Sequence, residues 1–109
     1  MAMQVAALRL VLRVSGAQSL KDKRRVVHMV RDRIRARFEV ACAEVEDLDE
    51  HKRAVIGVAL VGNDGQVLRA AADRIVQAVQ SWHAGELLSW DVDIWRHDPL
   101  NAGRSLLDL

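Results

Sequence analysis

The sequence predicts an α+β sandwich: a four-stranded antiparallel sheet with two helices on one face. Three observations carry that prediction. Two segments show helical periodicity, four short runs show strand pattern, and their order is strand, helix, strand, strand, helix, strand. At 109 residues the chain suits one domain with one core and is too short for two. Residues 1–96 are expected to form that domain. Residues 97–109, with the only proline and no periodicity, are expected to be a mobile or loosely docked tail.

"VAALRLVLRV" (residues 5–14) alternates Leu8, Leu10, Leu12 and Val14 with Arg9, Val11 and Arg13, the period of a strand with one buried face. Gly16 and its polar neighbours end it. Ser19 can cap the helix that follows, with Asp22 at the third helical position. Leu20, Val27, Val30, Ile34 and Phe38 then recur at helical spacing and define a buried seam. "VACAEV" (40–45) reads as a short second strand, and the acidic "EDLDEHK" as a turn. "RAVIGVALV" (53–61) is apolar on both faces, which suits a central strand. Asn63 or Asp64 caps a second helix near 65–82, whose apolar face includes Leu68, Ala72, Ile75 and Val79 and which Gly85 is expected to end. "ELLSWDVDIW" (86–95) alternates again, with Trp82 and Trp90 expected in the core and Trp95 on the other face. Right-handed crossovers interleave two such strand-helix-strand halves into a ferredoxin-like sandwich, with the first and third strands central.

Charge is unevenly distributed. "SLKDKRRVVHMVRDRIRARF" (19–38) holds eight of the 16 Lys and Arg and two of the 15 Asp and Glu, although the whole chain is only +1. On a helical wheel Lys21, Arg24, His28, Arg31 and Arg35 form a stripe along one flank, with Arg25 just behind it and Arg33 and Arg37 opposite. Arg offers planar paired donors that match phosphate, so the stripe points to a polyanion, RNA or a ribosomal particle. The competing reading is a solvated flank whose long side chains cover apolar rims. Like charges three and four residues apart destabilise a bare helix, which tips the balance modestly toward a partner. Base stacking on the sheet is not expected, because the central strands carry no aromatic residue. Binding would therefore run through phosphates and fall with salt.

Other chemistry is not legible. The histidines at 28, 51, 83 and 97 lack ligand spacing, so no metal is expected, and no cofactor motif is present. Cys42 stands alone in an apolar run and reads as a buried small hydrophobe in a reducing compartment. The acids of "EVEDLDE" read as a solvated turn. No triad or Walker loop occurs, and "GNDG" is a turn and helix start, so the chain is read as a non-enzyme. No apolar run approaches the roughly 20 residues of a membrane span, and no leader pattern opens the chain, so a cytoplasmic protein is expected.

"SLKDKRR", "RFEVACAEV" and "RAVIGVALVGND", in this order and at this spacing, resemble the YlxP-like family of small bacterial proteins of unknown function, over most of residues 3–95. The resemblance implies the same ferredoxin-like fold. Members are often encoded beside translation initiation and ribosome maturation factors, which implies an RNA-linked or ribosomal role. Ser19, Leu20, Lys21, Lys23, Arg24 and Arg25 match its basic motif, but no binding role carries over with them. The alternative is a homodimeric interaction module without nucleic acid. It would use the sheet face that the helices leave open, through Val11 and Trp95.

Overall fold

The computed structural model describes residues 2–97. The elements are β1 (Gln4–Arg13), α1 (Leu20–Phe38), β2 (Ala41–Glu46), β3 (Arg53–Gly62), α2 (Gly65–Trp82) and β4 (Glu86–Arg96). The strands lie in the order β2-β3-β1-β4, every neighbouring pair antiparallel. This is the ferredoxin-like α+β arrangement expected from the element order.

The two-residue period of β1 and β3 divides the sheet into two faces. Leu8, Leu10 and Leu12 pair with Val58, Ile56 and Ala54 and join Val27, Val30 and Ile34 of α1 and Leu68, Ala72, Ile75 and Val79 of α2 in one core. Both helices therefore cover the even-numbered face. Each fully buried Leu or Ile contributes about 1.5–3 kcal/mol relative to exposure. β3 is buried on both faces near its hairpin end, Val55 and Ile56 being fully enclosed. The central placement follows from that apolarity.

Local chemistry sets the helix ends. Ser19 Oγ accepts from the Asp22 backbone N–H (3.2 Å), and Asp22 Oδ2 reaches back to the Gln18 N–H (3.0 Å), so two N-terminal donors are satisfied. α1 stops at Glu39, in the left-handed conformation at φ 52°. Asp64 is the cap of α2 and accepts from the Gln66 N–H at 2.9 Å.

Two expectations need correction. α2 ends at His83, in the left-handed region at φ 52°, before Gly85 is reached. Gly85 serves a different need: a Cβ there would stand 2.9 Å from the Arg13 carbonyl oxygen. Trp90 lies on the helix side of β4 opposite Leu10 but is 47% exposed, because β4 is an edge strand. Trp82 is half-buried against the core with the Arg33 guanidinium over its ring, 5.7 Å from the centroid. The tail expected over 97–109 lies outside the described residues, except His97, whose N–H donates to the Met3 carbonyl at 2.8 Å.

Candidate functional site

α1 presents its cations to three different environments. Lys23, from the middle of the basic motif, is 0% exposed. Its ammonium donates to the carbonyls of Asp47 (2.8 Å), Leu48 (3.3 Å) and Arg53 (3.4 Å). Those three bonds use its three hydrogens, so Glu44 Oε2, 2.7 Å away, is held by charge without a hydrogen bond of its own. Lys23 thus anchors the β2–β3 turn to the helix. Sequence reading missed this, although Lys23 lies 40° from Val27 on the same wheel, inside the apolar seam.

Arg31 and Arg35 are drawn toward the protein itself. Arg31 Nε donates to Asp32 Oδ1 at 2.9 Å. Arg35 Nη2 donates to the Cys42 carbonyl at 2.7 Å, which turns the C-terminal part of the stripe toward β2. The expected five-residue stripe is therefore divided. Lys21, Arg24, Arg25 and His28 remain exposed, and no carboxylate among the described residues forms an ion pair with them. Arg25 also lines a polar cleft of about 480 Å³ with Arg13, Asp22, His83 and Glu86, where the β1–α1 loop meets the start of β4. Lys21, Arg24 and Arg25, in the opening turns of α1 near the positive end of the helix dipole, repel one another and favour an anion beside them.

The acids that could have neutralised this cluster are engaged elsewhere. Arg9 Nε binds Glu46 Oε2 (2.5 Å), and that hydrogen bond holds the Glu46 carboxyl below its ordinary range. Arg53 pairs with Asp47 (3.0 Å), and Arg13 with Glu86 (3.4 Å). Glu50 accepts from the Lys52 N–H at 3.0 Å, a bond that lowers its carboxyl likewise. The hairpin acids Glu44, Glu46 and Asp47 are thus taken up by Lys23 of α1, Arg9 of β1 and Arg53 of β3.

The odd-numbered sheet face carries no helix. Trp95 is 54% exposed there, beside Val5, as expected. Val11 is not available as an interface residue: it is 2% exposed, as it pairs with fully buried Val55 at the end of the face that the Arg9–Glu46 bridge crosses. The open, apolar part of the face lies further along, over Ala7, Ala41, Ala43, Gly57 and Ala59. Cys42 points the other way, into the core, and burial pushes its thiol up to about 11, with Arg35 and Arg31 pulling weakly against the shift.

Among the described residues no group of three or more His, Cys, Asp or Glu side chains could hold a metal ion. No helix of the described residues is long and apolar enough to cross a membrane.

The fold and these surfaces define a small ferredoxin-like domain with a partly uncompensated basic helix. The chain belongs to the family described as "Protein of unknown function (DUF503)", whose model matches residues 5–92. No curated protein matches it by sequence. Among solved structures it is similar to the de novo designed protein Foldit4, at 11% identity and TM-score 0.47, covering 88% of this chain and 97% of that one. It is also similar to SnoaB, a cofactor-independent oxygenase from Streptomyces nogalater, at 10% identity and TM-score 0.45, covering 90% and 95%. A third is the C-terminal domain of the MgtC protein from Mycobacterium tuberculosis, at 14% identity and TM-score 0.41, covering 93% and 95%.

Proposed function

We propose that the protein is an RNA-associated factor that binds phosphates through the N-terminal half of α1, with Lys21, Arg24, Arg25 and His28 as its contact residues. One observation carries the reading: these four are exposed and have no carboxylate partner among the described residues, while the hairpin acids pair with Lys23, Arg9 and Arg53. The resemblance to YlxP-like proteins favours RNA, in a ribosomal setting, over other polyanions. Phosphates meet donors that are preorganised on a rigid helix, so recognition is of charge and shape.

The test is fluorescence anisotropy with a short mixed-sequence single-stranded RNA at low salt. Arg24→Glu/Arg25→Glu is expected to weaken binding about tenfold or more. Arg69→Glu/Arg74→Glu on exposed positions of α2 makes the same change in net charge and is expected to leave most of the binding. Equal loss in the two pairs would show a net-charge effect and reject the site.

A second reading is favoured by the uncovered sheet face and its exposed Trp95: a self-associating interaction module. The two are compatible, since the basic helix lies on the opposite side of the sheet.

A further inference from the structure

The edges of the sheet are guarded, whereas its open face carries charge chiefly where Arg9 meets Glu46 and Asp91 and along the β4 margin. At the β2 edge the Arg35 guanidinium occupies the Cys42 carbonyl, and the pairing with β3 is irregular between Glu44 and Glu46. The β4 edge carries the exposed carboxylates of Asp91 and Asp93 and an irregular register opposite Val11 and Leu12. Such devices oppose edge-to-edge pairing. On the open face, small residues floor a shallow hollow of about 560 Å³, with Arg35 among its lining and Asp91 and Asp93 on the β4 side.

The face is complementary to itself. β4 supplies a large aromatic ring and two carboxylates; β2 supplies the small-residue floor, with a guanidinium beside it. The strand order β2-β3-β1-β4 places these two sets at opposite margins. A two-fold axis along the line between β3 and β1 therefore exchanges β4 with β2 and β1 with β3. Ala41, Ala59, Ala7 and Asp93 share one level across the sheet. The axis sets a second copy's Asp93 above Ala41, near Arg35, and brings its Trp95, one alternate position further, to the end of the hollow.

We infer that a second copy of this chain covers the open sheet face about this axis, Asp93 of each set over the alanine floor of the other and facing Arg35, and Trp95 of each at the rim of that floor beside the other's exposed Val61. The inference rests on the self-associating reading above. Isologous contact requires both halves of every complementary pair on one surface, and this face holds them. Strands of 10, 6, 10 and 11 residues, about 4.8 Å apart and at about 3.3 Å rise, give a face of roughly 600 Å². Two such faces bury on the order of 1,200 Å², the lower limit for a stable interface, so a buried tryptophan anchor decides the affinity. The helices stay outside, and the N-terminal cations of both α1 copies remain open to solvent.

Sedimentation equilibrium of the full chain over a concentration series tests this. The wild type is expected to dimerise. Trp95→Ala and Ala59→Lys, both at exposed positions, are each expected to raise the dissociation constant about tenfold or more. Asp93→Arg and Arg35→Asp should each weaken the dimer, and the two combined should restore it. Circular dichroism confirms that the variants fold. A wild type that stays monomeric throughout overturns both the inference and the self-associating reading. A dimer indifferent to Trp95→Ala and Ala59→Lys overturns only the placement. Failure of the charge-swapped pair to recover overturns the two-fold arrangement.

Discussion

Lys23 and Arg24 are adjacent in the chain and meet opposite fates. One is sealed beneath the β2–β3 turn against Glu44; the other stands free in solvent. Removing the buried ammonium leaves the carbonyls of Asp47 and Leu48 without their donor and Glu44 without its counter-charge. Lys23→Met should accordingly lower stability by about 3 kcal/mol in urea denaturation, and adding Glu44→Gln should recover part of the loss. Cys42 gives a second test. Its thiol ionises at an ordinary value of 9.0 when unfolded and at about 11 in the fold, because burial disfavours the thiolate. Between those values the unfolded chain binds fewer protons than the native one, so stability falls as pH rises. Urea midpoints measured from pH 9.0 to about 11 should decline more steeply for wild type than for Cys42→Ala, which lacks the group.

At the scale of elements, capping and close approach separate residues that look alike in sequence. Ser19→Ala removes the acceptor for the Asp22 N–H and should cost about 1 kcal/mol in thermal or urea unfolding. Gly85→Ala forces a Cβ to 2.9 Å from the Arg13 carbonyl, which is backbone and cannot swing aside. Its loss should be about 1–3 kcal/mol. Gly16→Ala meets nothing within 4 Å and should be neutral or slightly stabilising. The elements themselves were legible because each rests on a period within its own segment: Leu8, Leu10 and Leu12 for β1; Val27, Val30 and Ile34 for α1. The stop at His83 was not legible, since a histidine in the left-handed region leaves no compositional mark as a glycine would. Nor was the exposure of Trp90, for alternation tells which face a residue occupies but not how far the helical layer extends over it.

For the whole molecule, surface charge makes a salt-dependent prediction. If the four free groups of α1 are the RNA contacts, log affinity against log salt should have a slope of about −2 to −3, since each neutralised phosphate of a single strand contributes about −0.7. Arg24→Glu/Arg25→Glu should flatten that slope when anisotropy titrations are repeated at several salt concentrations. Arg31 and Arg35 contribute less than the wheel implied, because Asp32 and the β2 edge engage them first.

The sequence by itself determined the elements, their order, the central position of the third strand and the sign of the first helix, because periodicity and composition are properties of short segments. Only the tertiary structure decided which of those cations are available. That choice depends on groups such as the Asp47 carbonyl, 24 positions from Lys23, which come within reach only once the β2–β3 hairpin packs beside the helix. The same holds for the open face: Trp95 and Ala41 become opposite margins of one surface through the strand order, which no local pattern encodes.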